Sequence, residues 1–190
     1  MTYIKTIPYH DANEDLKNAY DTIIASRGKL AAIHEIHSIK PESLLKHMDL
    51  YMELMYGKSG LSRAQRELIG VIVSIGNKCI YCVKHHAAAL NHYWKDDNRL
   101  GILLRDFTKA GLTDAELLLC LLAEQLTLKP FFAGKEELIK RIKEQGLSDE
   151  DILDATMVVA YFNFVNRLVL GLGVGSASND EDEFTGYKYD

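Results

Sequence analysis

Apolar residues recur at three- and four-residue intervals along almost the whole chain, and no segment shows the sustained alternation that is typical of a β-strand. This spacing brings apolar side chains onto one face of an α-helix. The 13 glycines and 3 prolines among 190 residues are too few for a loop-rich sandwich or a disordered chain. The sequence therefore predicts an all-α fold, and the length is that of one domain.

The predicted helices are separated by a short phrase that occurs three times: Gly60-Leu61-Ser62, Gly111-Leu112-Thr113 and Gly146-Leu147-Ser148. In each phrase the glycine ends one helix and the hydroxyl side chain caps the next, with a glutamine, glutamate or aspartate at the capping-box distance. The intervals between the phrases are unequal, which excludes a regular solenoid. The repetition indicates an old duplication of a helical hairpin.

Two predicted helices, 68–75 and 152–172, are apolar almost all round, which is typical of helices buried on most sides. Together with the run 51–56, they offer more apolar surface than a bundle of this size easily buries, so we predict a homo-oligomer. The second helix is interrupted by Asn163, Asn166 and Arg167. Because buried polar groups need partners, these three residues are predicted to form a polar latch between helices.

The formal net charge of −5 is concentrated at the C-terminal end of the chain. Residues 180–190 hold five carboxylates and one lysine, so the remainder is close to neutral, which argues against a basic face for nucleic acid. We predict one all-α domain over 1–175 and an acidic, mobile tail over 176–190. A second interpretation is that the tail binds a neighbouring subunit through Phe184, Tyr187 and Tyr189.

The sequence shows no sign of export or of a membrane span. Residues 1–8 contain no apolar signal region, and the longest apolar run, 117–123, is far shorter than the roughly 18 residues of a span. Three cysteines, two of them two residues apart, do not make an extracellular disulfide framework. We predict a cytoplasmic protein whose cysteine pair is catalytic or metal-binding.

The chemistry is predicted to lie between Glu67 and His86. Gly76-Asn77 is a plausible helix stop, and a new helix can begin near Cys79. At about 100° per residue, Cys79, Cys82 and His86 then share one stripe of that helix. The amides and the positive dipole end at a helix start stabilise a thiolate, which can lower a cysteine pKa from about 8.5 to between about 3.5 and 7.5.

A lowered thiol pKa does not by itself explain catalysis, because the nucleophilicity of a thiolate falls with its basicity. A thiolate that attacks a peroxide also needs the departing oxygen to be protonated, and His86 and Glu67 are the candidates for that task. Glu67 lies in an apolar helix, where burial is expected to raise its pKa towards the range useful for proton transfer. Its alternative role is a surface ion pair with Arg63, one turn earlier.

Other interpretations of these residues remain open. The cysteine pair is also compatible with structural zinc, although such a site normally has four ligands and the chain has no second Cys-x-x-Cys. Covalent haem attachment is excluded because Val83 stands where that motif has histidine. His85 points about 120° away from Cys79 and is interpreted as a surface or supporting group. Cys120 lies in an apolar run and is interpreted as core filler.

The spacing of Glu67, Cys79, Cys82 and His86 resembles the core motif of the alkylhydroperoxidase D (AhpD-like) group, which is part of the carboxymuconolactone decarboxylase superfamily. Asn77, Tyr81 and the run 162–167 (Phe-Asn-Phe-Val-Asn-Arg) are similar to the peroxidase-related branch of that group. The resemblance covers about residues 40–175. Decarboxylases of the superfamily generally lack the Cys-x-x-Cys pair, which disfavours lactone decarboxylation.

The resemblance implies an all-α helical bundle that assembles as a homo-oligomer and acts as a dithiol peroxidase. In that mechanism Cys82 attacks the hydroperoxide and becomes a sulfenic acid, and Cys79 condenses with it to a disulfide. His86 and Glu67 relay protons. The chain departs from the best-studied members at Tyr81, where they have another histidine, and a tyrosine with a pKa near 10 is a poorer proton relay. Tyr81 and His85 are secondary candidates.

We therefore predict a thiol-dependent peroxidase without a cofactor or a metal, with a hydroperoxide as substrate and a thiol or dithiol as reductant. Cys79, at the helix entrance, is expected to be the sulfur that an outside reductant reaches more easily. One alternative is a dithiol–disulfide reductase or relay that does not favour peroxides. The other is a non-catalytic helical oligomer that holds a metal through Cys79, Cys82 and His86. No nucleic-acid or membrane partner is expected.

Overall fold

The computed structural model describes residues 2–175 and 181–189, and these residues form α-helices, short 3₁₀ turns and no strand. The predicted all-α class is confirmed. The helices are α1 (Glu14–Arg27), α2 (Ala32–Glu35), α3 (Pro41–Tyr56), α4 (Arg63–Gly76), α5 (Ile80–Trp94), α6 (Asp97–Leu103), α7 (Asp114–Leu128), α8 (Lys135–Glu144) and α9 (Asp149–Leu172). Single 3₁₀ turns lie at Tyr9–Asp11, Phe107–Lys109 and Glu181–Phe184.

The three repeated phrases begin α4, α7 and α9, as the sequence predicts. The Ser62 hydroxyl accepts a hydrogen bond from the backbone amide of Gln65 at 3.1 Å, and the Ser62 amide donates to the Gln65 side chain at 2.9 Å. Thr113 and Ser148 form the same reciprocal box at the other two helix starts. Residues close in sequence therefore fix where three of the long helices begin.

α4 lies at the centre of the bundle, packed against α5, α7 and α9. Every residue from 66 to 74 is buried, which confirms the prediction that this apolar helix is surrounded on most sides. Among these residues are the charged Arg66 and Glu67, which are 5% and 1% exposed. A buried charge is costly unless it is paired or hydrogen-bonded. Both side chains therefore need polar partners inside the bundle.

A polar latch joins the end of α4 to α7 and α9. The Asn77 side-chain amide donates to the side-chain oxygens of Asn163 at 3.0 Å and Asn166 at 3.2 Å. Asn163 in turn donates to the Thr127 hydroxyl at 3.0 Å. The predicted latch is therefore present for the two asparagines, whereas Arg167 is exposed and bonds to Asn163. This latch anchors the turn that leads into α5.

Among the described helices, α9 alone has the length and apolar composition of a membrane span. Its inner face packs against α4 and α7. Its outer face leaves a stripe of side chains exposed: Leu153, Met157, Ala160 and Phe164. The cytoplasmic location stays a prediction.

Residues 181–189, called the C-terminal segment below, pack back onto the end of α1 and onto α5. The Lys188 amide donates to the carbonyl oxygen of Arg27 at 2.9 Å, and the Tyr93 hydroxyl donates to the carbonyl oxygen of Tyr189 at 2.6 Å. Phe184 is 8% exposed. In this structure the segment therefore contacts its own chain, and its mobility stays a prediction. Residues 176–180 and 190 of the predicted tail lie outside the described residues.

Candidate active site

The cysteine pair lies where α5 begins. Lys78 takes up the left-handed conformation, with φ of 58°, and turns the chain after α4, so that Cys79 becomes the N-cap of α5. Cys79 and Cys82 are joined as a disulfide with 5.3 Å between their Cα atoms, which is within the usual range for disulfides. The predicted helix start therefore brings the two sulfurs together within one turn.

Glu67, on α4, forms a buried charge cluster with His86 and Arg63. Its Oε2 lies 2.7 Å from Nδ1 of His86, and its Oε1 lies 2.8 Å from Nη2 of Arg63. The side chains of Glu67 and Arg63 are 2% and 14% exposed. The ion pair with Arg63 therefore exists, but it is buried, and the same carboxylate also holds His86.

The pKa of Glu67 is lowered, so the expectation of a raised value is wrong. Burial raises this pKa, but the hydrogen bond with His86 and the charges of Arg63 and Arg27 outweigh burial and bring it below its ordinary value. Glu67 is therefore a carboxylate at neutral pH. Since a carboxylate can only accept, the shared proton lies on Nδ1 of His86. The apolar helix predicted burial correctly, but the partners of Glu67 decide the sign of the shift.

The imidazole ring of His86 is held between Phe162 and α4. The ring centroids of His86 and Phe162 are 4.1 Å apart, in an edge-on arrangement. On the α4 side, a Cβ atom on Gly70 would lie 2.9 Å from Cγ and Nδ1 of His86, closer than real Cβ atoms come. Glycine at this position therefore allows α4 and α5 to approach closely enough for Glu67 to reach His86.

A cavity of about 100 Å³ lies beside Cys82. Its titratable groups include Glu67, His85 and His86, and rings from α3 and α9 form an apolar wall. Two tyrosines of the C-terminal segment, Tyr187 and Tyr189, also line it. The cavity therefore places one cysteine, several titratable groups and an apolar wall next to each other, as a site for a small organic molecule requires.

The two cysteines are not equivalent in this structure. Cys82 is 4% exposed and lines the cavity, whereas Cys79 is 0% exposed and is not among the described residues that line it. Cys79 belongs to a buried cluster that includes Ile36, Val174 and Phe184. The expectation that Cys79 is the more accessible sulfur is therefore wrong in this conformation, because Cys79 is fully buried in that cluster.

Glu183 of the C-terminal segment lies beside Tyr81 and His85. Its Oε1 accepts a hydrogen bond from the Tyr81 hydroxyl at 2.5 Å and lies 3.6 Å from Nε2 of His85. His85 is 18% exposed and lines the cavity, so it is a wall of the site and not a surface group. Burial and the Glu183 carboxylate raise the pKa of Tyr81 well above its ordinary value, so Tyr81 stays protonated at neutral pH.

Sequence reasoning missed Glu183 and two histidines of the cavity, His34 and His47. Burial lowers the pKa of His34 to about 3 and that of His47 to about 4, so both are neutral at physiological pH. Cys120 is buried in the core, and burial raises the pKa of its thiol. Within residues 2–175 and 181–189, no group of three or more His, Cys, Asp and Glu side chains is placed to hold a metal ion.

Comparison with known proteins agrees with this fold. Residues 41–125 match the carboxymuconolactone decarboxylase family. The Bacillus subtilis (strain 168) protein YdfG is 28% identical over 143 residues, which cover 75% of this chain and 95% of YdfG. A peroxidase-related protein from Ralstonia eutropha JMP134, described as an alkylhydroperoxidase AhpD core, superposes with a TM-score of 0.84 at 21% identity, over 96% of this chain and 94% of that one.

A second similar structure is a complex of a debrominase, a cysteine-to-alanine variant of Bmp8, with 2,3,4-tribromopyrrole. It superposes with a TM-score of 0.78 at 16% identity, over 96% of this chain and 94% of the debrominase. The fold and the site define an all-helical protein with a cysteine pair at a helix start. Residues 41–125 match the carboxymuconolactone decarboxylase family, and the chain has the fold of AhpD-like proteins, which agrees with the resemblance of its motif. Proteins of this fold therefore include a debrominase.

Proposed function

We propose that the protein is a thiol-dependent peroxidase that reduces hydroperoxides through Cys79 and Cys82. The observation that carries the proposal is the geometry around Cys82: its sulfur meets a cavity that also holds His86, and the second nitrogen of His86 is bound by a buried carboxylate. A cysteine, a base and a group that orients the base are the arrangement of an activated nucleophile. The similarity to peroxidase-related proteins supports the same reaction.

The oxidative half of the reaction uses both cysteines. The Cys82 thiolate attacks the terminal oxygen of ROOH, the O–O bond breaks, and Cys82 becomes a sulfenic acid while RO⁻ takes a proton and leaves as ROH. His86 supplies that proton, and the Glu67 carboxylate stabilises the imidazolium form that carries it. The Cys79 thiol then condenses with the sulfenic acid, which forms the disulfide and releases water.

The reductive half restores the dithiol. A thiol or dithiol reductant gives two electrons and two protons to the disulfide and is itself oxidised to a disulfide. Since Cys82 lines the cavity and Cys79 is covered, the first attack is expected at the sulfur of Cys82, with Cys79 as the leaving thiolate. This assignment reverses the order expected from the helix entrance alone.

Dithiol-dependent dehalogenation is a second candidate. The rings of Tyr51, Tyr161 and Phe162 line the cavity, and a debrominase of the same fold binds a brominated pyrrole. In that reaction the two thiols would be oxidised to the disulfide while an aryl–halogen bond is replaced by an aryl–hydrogen bond and halide is released. Peroxide reduction is favoured because all four core positions of the AhpD-like motif are present in this chain: Glu67, Cys79, Cys82 and His86.

A thiol count tests the proposed function. Equimolar cumene hydroperoxide, added to fully reduced protein, is expected to lower the thiols that titrate after unfolding from three to one, because Cys120 does not take part. An equal amount of cumyl alcohol should form. In the matched control Cys120→Ala, the count should fall from two to zero.

Three titratable thiols after peroxide treatment would contradict the peroxidase function. Thiols that resist peroxide but are lost to a small disulfide would indicate a disulfide reductase, and thiols lost only to a bromopyrrole, with bromide released, would indicate a dehalogenase. Stoichiometric zinc in the purified protein, found by elemental analysis, would indicate the metal-holding oligomer.

We also propose that the protein is a homo-oligomer, with the outer face of α9 in the interface. Leu153 and Phe164 on that face are 56% and 50% exposed. Light scattering at micromolar concentration is expected to give a multiple of the chain mass of 21.4 kDa. Phe164→Glu should lower the mass because it places a charge in an apolar contact. Phe131→Glu is the control, since Phe131 is fully exposed outside α9. A mass near 21 kDa for the unmodified protein would contradict assembly.

A further inference from the structure

We propose that Glu183 is a positioning residue of this site: its carboxylate, carried by the C-terminal segment, holds Tyr81 and His85 beside the cysteine pair. The inference rests on the proposed function. Tyr81 stands between the two cysteines in sequence, and both Tyr81 and His85 line the cavity that Cys82 meets. A residue that fixes both side chains therefore fixes one wall of the site.

A single oxygen of Glu183 makes all of these contacts. Oε1 accepts hydrogen bonds from the Tyr81 hydroxyl at 2.5 Å and from the Ala32 amide at 2.9 Å, and it lies 3.6 Å from Nε2 of His85. The carboxylate thus links α2, α5 and the C-terminal segment at one point. The nearby His85 ring and the hydrogen bond from Tyr81 outweigh burial and lower the pKa of Glu183 to about 2, so it is charged at neutral pH.

Other contacts hold the C-terminal segment without Glu183. Lys188 bonds to Arg27 through its amide and to the Ala25 carbonyl oxygen through its Nζ, at 2.9 Å in each case. The Tyr93 hydroxyl holds the carbonyl oxygen of Tyr189 at 2.6 Å. The Glu183 carboxylate is therefore not needed merely to keep the segment in place, and a change at this position tests its effect on the site.

Glu183 acts on the proton affinity of His85 as well as on its position. The titratable and charged groups that face His85 come from four places: Tyr81 and His86 on α5, His34 on α2, Lys29 after α1, and Glu183 and Tyr187 of the C-terminal segment. Burial lowers the pKa of His85, and Glu183 opposes that shift. Without the carboxylate, His85 should lose its proton at lower pH.

The test compares Glu183→Gln with the unmodified full-length protein. Glutamine keeps the size and a hydrogen-bond acceptor for Tyr81 but removes the charge. The control Asp182→Asn removes an equal charge from an exposed position of the same segment. The His85 imidazole is titrated by NMR in the disulfide form, with its signals assigned from a His85→Gln sample. Turnover of cumene hydroperoxide is measured across the same pH range.

In Glu183→Gln, His85 is expected to titrate at lower pH than in the unmodified protein, and turnover at neutral pH should fall by about tenfold because the wall of the site is less well fixed. Asp182→Asn should leave the His85 titration and the turnover unchanged. Glu183→Asp keeps the charge on a shorter side chain, so it should give intermediate values and also serves if the glutamine variant does not fold.

An unchanged His85 titration in Glu183→Gln would overturn the proposal, even if turnover falls equally at every pH, because the carboxylate would then only anchor the segment. The titration needs no substrate. An unmodified protein that does not reduce peroxide would contradict the proposed function, while the His85 signal would still decide whether Glu183 acts on this wall of the cavity.

Discussion

Cys82→Ser is expected to abolish peroxide turnover, whereas Cys79→Ser should react with one equivalent of hydroperoxide and then stop. The difference follows from the site: Cys82 lines the cavity and lies one turn before His86, at the spacing where helix side chains meet, while Cys79 is covered. In Cys79→Ser the first step can occur, but no second thiol is present to form the disulfide. The sulfenic acid on Cys82 should therefore persist.

A dimedone-type probe reports that sulfenic acid, and intact mass spectrometry reports the one added oxygen independently of probe access. Cys82→Ser should give neither signal. Cys120→Ala is the control for a cysteine outside the site and should keep full turnover, because Cys120 is buried in the core. An adduct on Cys79, with Cys82 dispensable for the first step, would reverse the assignment while leaving a dithiol mechanism intact.

Glu67→Gln is expected to lower turnover well over tenfold, because the amide keeps the shape but removes the charge that stabilises protonated His86. The substitution should also destabilise the fold, because the ion pair between Glu67 and Arg63 is buried. Removing one partner of a buried ion pair typically costs about 3–5 kcal/mol, so the free energy of unfolding should also fall. Steady-state kinetics and urea unfolding measure the two effects separately.

Arg63→Gln separates the ion pair from the proton relay. It removes the same buried pair but leaves the contact between Glu67 and His86, so it should lower stability to a similar degree while retaining much more of the turnover. Equal losses of turnover in Glu67→Gln and Arg63→Gln would show that Glu67 serves only the ion pair. Unchanged turnover in Glu67→Gln would remove it from the mechanism.

The parts of the fold that depend on neighbours in sequence could be predicted. The capping boxes at Ser62, Thr113 and Ser148 begin helices where the sequence places them, and Cys79 starts α5. The direction of the Glu67 shift could not be predicted, because it depends on how near Arg63 and His86 come in three dimensions.

Contacts between distant parts of the chain could not be predicted either. Glu183 meets Tyr81 across 102 positions of sequence, and an acidic stretch near the C-terminal end normally indicates a solvated tail. Phe184, from the same distant segment, packs in the buried cluster that contains both Cys79 and Cys82. A helical stripe predicts which residues share a face, but it does not predict what covers that face.

At Gly70 the residue that would best stabilise the helix differs from the residue that the geometry of the site requires. Alanine in the interior of a helix is favoured over glycine by roughly 0.5–1 kcal/mol, so position 70, in the middle of the central helix, is where a propensity-based stabilisation scheme would first place a methyl group. That methyl would press on the His86 ring. An alanine that made α4 more stable at this position would therefore disturb the packing that lets Glu67 reach His86. Variants designed for higher thermal stability need to keep Gly70.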